Sequence, residues 1–133
     1  MDFDALPRFV AIVGSREFPR QDWVEAFVER LKPDTIVVSG GAKGVDSWAV
    51  RTAKSRGLLT KVFPVEGWEW DVIGMTAGHV RNFVLLNYIK RTNGHVVAFA
   101  SLNDKGVASA GTLNTMLTAR SMGIPVTSYE TKG

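Results

Sequence analysis

Residues 35–46, Thr-Ile-Val-Val-Ser-Gly-Gly-Ala-Lys-Gly-Val-Asp, constrain the fold more than any other stretch of the chain. Ile36, Val37 and Val38 are three β-branched residues in a row and read as a buried strand. Gly40, Gly41 and Gly44 then make a turn where backbone can come close to a ligand, and Asp46 falls in the first turn of a helix. Strand, glycine turn and helix N-terminus together make an anion site, because free N–H groups and the positive end of the helix dipole point the same way. A phosphate-bearing ligand is expected at this turn. The stretch does not say which ligand, or whether anything is done to it.

The remaining segments repeat the alternation. Arg8 to Gly14 is a near-continuous apolar run, the mark of a central strand covered on both faces, and it ends in Gly14-Ser15-Arg16. Asp22 is placed to cap a helix from about Trp23 to Leu31, where Trp23, Phe27 and Leu31 recur and Val24 and Val28 widen the stripe. The helix after the glycine turn runs to about Arg56, with Val45, Trp48, Ala49, Thr52 and Ala53 on one face and Gly57 at its C-cap. Thr60 to Phe63 is a short third strand. Residues 64–76 show no period and form a long loop, a candidate lid or binding loop. A helix from about Ala77 to Ile89 is expected to turn Val80, Phe83, Val84 and Asn87 inward. His95 to Phe99 is the fourth strand, a helix from the Gly111-Thr112 turn to Met122 carries Leu113, Met116 and Leu117 inward, and Pro125 to Ser128 is the last strand.

This β-α-β-α-β-α-β-α-β order predicts a single Rossmann-like α/β domain over residues 1–133, three layers deep, with a mainly parallel five-stranded sheet. Strand 1 is expected in the middle with strand 4 beside it. Ligands bind such sheets at the carboxyl ends of the strands, where the winding reverses, so the turns after strands 1, 2 and 4 would share one crevice.

Composition narrows the classes. An apolar fraction of 45% and a charged fraction of 22% are those of a globular domain. No apolar run approaches the roughly 20 residues that span a bilayer, and the acidic start Met-Asp-Phe-Asp lacks the character of a secretion signal, so a cytoplasmic location and no membrane partner are expected. The absence of cysteine rules out a disulfide framework and a thiolate metal site. His79 and His95 have no partner at metal-ligand spacing, and no metal or cofactor is expected. A formal charge of +3, with basic residues scattered, does not by itself establish a nucleic-acid binder. Arg51, Lys54 and Arg56 read as a solvated helix face.

Gly14-Ser15-Arg16, Ser39-Gly40-Gly41-Ala42-Lys43-Gly44-Val45-Asp46, Ala77-Gly78-His79-Val80-Arg81-Asn82, Gly106 and Gly111-Thr112, in this order, resemble the SLOG superfamily and within it the small YspA-like proteins of bacteria and phages. That superfamily also holds the DNA-processing protein A family and the Lonely-Guy enzymes. The resemblance implies a Rossmann-like fold, a site for a nucleotide or nucleotide-derived ligand, and association into homo-oligomers. It does not imply one activity.

On the matched positions, ligand contact is expected from Gly14, Ser15, Arg16, Ser39, Gly40, Gly41, Ala42, Gly44, Asp46, Arg81, Asn82, Gly111 and Thr112. Each has a plainer alternative. The glycines alone match neither the P-loop nor the dinucleotide pattern. Asp46 either steadies the helix N-terminus, by roughly 0.3–1 kcal/mol, or accepts a hydrogen bond from a ribose hydroxyl. Arg16 and Arg81 are either surface residues or phosphate ligands, for which the planar guanidinium is suited. Thr112 is an N-cap or a second phosphate contact. Trp68 and Trp70 anchor the long loop or stack on a base; Glu66, Glu69 and Asp71 are solvated or supply a general base.

In the Lonely-Guy enzymes an arginine on the corresponding helix and a glutamate just after the Gly-Thr turn are associated with cleaving an N-glycosidic bond. Arg81 matches the first, but Gly111-Thr112 is followed by Leu-Asn-Thr-Met, and no acid occurs between Asp104 and Glu130. An oxocarbenium-like transition state wants a carboxylate nearby, which only an acid from elsewhere, such as Glu17, Glu69 or Asp71, would supply. The sequence therefore favours binding or sensing of a nucleotide-like small molecule over catalysis, with Arg81 the catalytic residue if there is one. Nucleoside monophosphate hydrolysis and single-stranded DNA binding, as in DNA-processing protein A, stand as the alternatives.

Overall fold

The computed structural model describes residues 1–64 and 76–133, the second stretch with side chains from Val80 onward. Among the described residues the order is β1 (Phe9–Gly14), α1 (Gln21–Glu29), β2 (Ile36–Ser39), α2 (Val45–Ser55), β3 (Leu59–Val62), α3 (Thr76–Arg91), β4 (His95–Leu102), α4 (Ala110–Ser121) and β5 (Val126–Lys132). The expected lid at 64–76 falls, apart from its end residues, outside the described residues. So do Glu66, Trp68, Glu69, Trp70, Asp71 and the side chain of His79.

The strands form one parallel sheet in the order β3-β2-β1-β4-β5, flanked by helices on both faces, the Rossmann-like arrangement expected from the alternation. β1 is central: Val10 pairs with Val37 on one side and with His95 on the other. Its apolar run is explained by this position, since successive side chains enter different cores. Val10 and Ile12 join Val24, Val28, Val45 and Ala49 under α1 and α2. Ala11 and Val13 join Leu85, Leu86, Ile89, Met116 and Ala119 under α3 and α4.

Several local expectations are corrected. Asp22 does not cap α1; the N-cap is Arg20, and the Asp22 carboxylate instead receives the Arg20 guanidinium at 2.7 Å on the surface. On α3 the stripe Val80, Phe83 and Val84 faces outward, while Leu85, Leu86 and Ile89 fill the core. The run Phe83-Val84-Leu85-Leu86 is apolar on both sides of the helix, so periodicity could not choose the face. On α4, Met116 points inward as expected, but Leu117 is exposed and Thr112, Thr115 and Ala119 take the inner face. Arg56 does not belong to a solvated face. Its Nη1 donates to the carbonyls of Val28 at 2.6 Å and Leu31 at 3.0 Å, bonding the end of α1 and the residues after it to α2.

Two strands are also longer than expected, β4 reaching Leu102 and β5 reaching Lys132. They pair throughout, Phe99 with Tyr129 and Leu102 with Lys132. The extension carries Ser101 and Leu102 to the mouth of the crevice described next.

Candidate functional site

The chain winds outward from β1 through β2 to β3, then returns to start again at β4. At the carboxyl ends of β1, β2 and β4, where this reversal falls, lies a cleft of about 700 Å³. Of the residues expected to touch a ligand, Gly14, Ser15, Arg16, Gly40, Ala42, Asp46, Arg81, Asn82, Gly111 and Thr112 line it. Ser39, Gly41 and Gly44 do not line it and instead shape the turn that does. The Ser39 hydroxyl is fully buried, accepts the Gly41 N–H at 3.1 Å and donates to the Asp46 carbonyl at 3.4 Å, closing the β2–α2 turn on itself.

Gly44, the N-cap of α2, has φ +80°, and a Cβ there would run into the Arg16 carbonyl oxygen. The turn after β1 and the turn after β2 are thus packed backbone to backbone. Gly40 is crowded from another side. A Cβ on it would stand 2.8 Å from Nη1 of Arg81 and 3.0 Å from Oδ2 of Asp46. The Arg81 guanidinium is fastened over this glycine by two bonds, Nη1 donating to the Gly40 carbonyl and Nε donating to Oδ1 of Asn82 at 2.8 Å. Burial lowers its pKa, Arg16 acts in the same direction, and the Asp46 carboxylate opposes them only in part.

Asp46 lies in the first turn of α2 and is buried; its Oδ2 accepts the Ala42 N–H at 3.3 Å. Burial pushes its carboxyl up to about 6, against the pull of that N–H and of Arg81 and Arg16. The carboxylate is therefore mostly ionised at neutral pH, about one unit above its midpoint.

The opposite wall is built of hydroxyls. Ser15, at the end of β1, lies 2.8 Å from Ser109 and 3.4 Å from Thr112, and its oxygen accepts the Ser101 N–H at 3.2 Å. Ser109 is the N-cap of α4, and its hydroxyl donates to the Thr112 hydroxyl instead of accepting a helix N–H. One cluster thus ties β1, β4 and the start of α4 together. Ser101, Ser109 and Thr115 also line the cleft and were not singled out in the sequence; Glu17, one of the acids from elsewhere that hydrolysis would need, lines it too. Ser109-Ala110-Gly111-Thr112 carries the usual cap-residue signal for the first of these, read there only from Gly111 onward.

Chemically, the cleft offers two guanidinium groups, backbone of a glycine turn, a helix N-terminus and hydroxyl donors, against one buried carboxylate. That set suits a phosphate. Among the described residues no group of three His, Asp or Glu is arranged to hold a metal ion, and no helix is long and apolar enough to cross a membrane. The first turn of α4, where a glycosidase-type carboxylate would be needed, carries Gly111, Thr112 and Leu113.

Comparison with solved structures gives DNA processing protein A from Streptococcus pneumoniae, with a TM-score of 0.71 and 23% identity over 92% of this chain and 50% of that one. The chain spans about half the length of that protein, and the likeness establishes the fold. Among curated proteins none matches. The family model described as DNA recombination-mediator protein A matches residues 2–69, which hold β1 through β3 and both turns on which Arg16 and Asp46 stand. The chain belongs to the DNA recombination-mediator protein A family.

Proposed function

We propose that the chain binds single-stranded DNA through its phosphates, in the cleft at the ends of β1, β2 and β4. The observation that carries this reading is the Arg81 guanidinium, pinned over the Gly40 turn by the Gly40 carbonyl and Asn82 and facing the same space as Arg16. A prepositioned guanidinium loses little freedom on taking a phosphate oxygen. The family model covers the turns that build this cradle, and the structural neighbour is named for DNA processing.

The test is fluorescence anisotropy with a labelled oligothymidylate over a series of salt concentrations. Binding is expected with a log–log salt slope of about −0.7 to −1.4, as for one or two phosphates neutralised on a single strand. Arg81→Ala and Arg16→Ala are each expected to weaken it at least tenfold while leaving the melting temperature within a few degrees. Absence of oligonucleotide binding overturns the proposal.

A second reading, that the ligand is a free nucleotide-like small molecule, is favoured by the hydroxyl cluster of Ser15, Ser109 and Thr112, which offers a sugar or second phosphate its own wall. The cleft volume lies within the usual range for small-molecule sites. Mass spectrometry of molecules released on denaturing the purified protein separates the two: a stoichiometric intact nucleotide favours the small molecule.

A further inference from the structure

A buried carboxylate inside an anion cradle is costly, and it changes what the cradle can hold. Three charged groups surround the space over Gly40: Arg81 from α3, Arg16 from the turn after β1, and Asp46 from α2. Among the described residues the other charges nearby are those of Glu17, at the solvent edge of the same cleft, and Lys43, exposed on the turn itself. The charges that act on Asp46 are those of Arg81 and Arg16, so around the buried carboxylate two cations and one anion leave a single positive charge for the ligand.

We propose that Asp46 makes this a one-charge site, which takes the singly charged phosphodiester of a strand interior and selects against the doubly charged phosphate of a strand end or free nucleotide. The inference rests on the phosphate-binding reading of the cleft and adds which phosphate is bound. A phosphodiester carries one negative charge and matches the excess. A phosphate monoester carries nearly two at pH 7.5, its second pKa being about 6. The additional charge would repel the Asp46 carboxylate, which burial keeps from being screened by water. Glu17 acts in the same sense from the edge.

The geometry leaves Asp46 little means of escape. It is fixed in the first turn of α2, and its Oδ2 is tied to the Ala42 N–H at 3.3 Å. Its one accessible response to a second ligand charge is to take up a proton, and burial has already raised its affinity for one. A monoester therefore binds by drawing a proton from solvent, and a diester does not.

The experiment compares thymidine 5′-monophosphate with its methyl ester, which share base and sugar and differ in one charge. Each is titrated directly by calorimetry at pH 7.5, in two buffers of different ionisation enthalpy, and as a competitor of labelled oligothymidylate. The methyl ester is expected to bind at least tenfold more tightly, and the monoester to take up close to one proton more than the ester. In Asp46→Asn the preference is expected to fall below twofold and the difference in proton uptake to vanish. Equal affinities in the natural protein, a preference for the monoester, or failure of both mononucleotides to bind overturns the inference. The comparison in the natural protein decides even if the variant fails to fold. Failure of the oligothymidylate alone, with the tenfold preference intact, overturns the strand-binding reading and leaves the role of Asp46 standing.

Discussion

Arg81 and Asp46 converge on the same glycine. A Cβ at Gly40 would lie 2.8 Å from the Nη1 of Arg81 and 3.0 Å from the Oδ2 of Asp46, so the absence of a side chain is what lets a cation and an anion from different helices face one space. The turn, the arginine and the carboxylate are one assembly.

Gly40→Ala tests that assembly. The methyl group has no room beside the guanidinium, and Arg81 must leave the Gly40 carbonyl to accommodate it. Oligonucleotide affinity is expected to fall at least tenfold, as in Arg81→Ala, and the double variant is expected to be no weaker than either single one. Anisotropy on the three variants checks it, since independent effects would multiply.

Asp46 gives stability a pH dependence of known sign. Its pKa is about 6 folded and near 3.8 unfolded, so the folded state holds the extra proton between these values. That contribution is complete below pH 4 and lost as pH rises through 6. At pH 7.5 the variant Asp46→Asn, which keeps an acceptor for the Ala42 N–H, is expected to be about 2–3 kcal/mol more stable than the natural protein. The gap should close toward pH 4. Urea unfolding of both proteins across this range measures it.

On α3 the two apolar faces make opposite predictions. Leu86 is fully buried, and Leu86→Ala is expected to cost about 2–5 kcal/mol. Phe83 is 56% exposed, and Phe83→Ala is expected to change stability by no more than about 0.5 kcal/mol. Denaturation midpoints decide, and a large loss at Phe83 would mean that another surface covers that face in solution.

Arg56 holds the end of α1 from α2. Removing it strips two carbonyls of a charged donor, and Arg56→Ala is expected to cost about 1–2 kcal/mol. Arg56→Lys should recover only part, because an ammonium lacks the planar spread of donors that serves both oxygens. Thermal melts of the two variants give the comparison.

These positions mark what the sequence could tell. The strand order was legible because Ile36-Val37-Val38 and Phe9-Val10-Ala11-Ile12-Val13 are runs that only a sheet covered on both faces explains. The three turns were legible because glycine, serine and arginine cluster where strands end. The inner face of α3 was not, since four consecutive apolar residues satisfy either side of a helix. Arg56 was missed because its partners, the carbonyls of Val28 and Leu31, are backbone atoms that no pattern of side chains announces. Ser101 and Ser109 became part of the cleft through a strand longer than its apolar core and a cap whose hydroxyl bonds side chains in place of the helix N–H groups.

The central place of β1 has a consequence for synthesis. Its first neighbour, β2, leaves the ribosome soon after it, but the strand that covers its other edge begins only at His95. Until that late segment emerges, Phe9 to Gly14 presents an unpaired row of N–H and C=O groups along a wholly apolar strip, open to pairing with another nascent chain. Native structure thus depends on the two halves meeting across a long interval, which slows folding as non-local pairing does elsewhere. A chain truncated before β4 should aggregate where a chain shortened only within β5 need not.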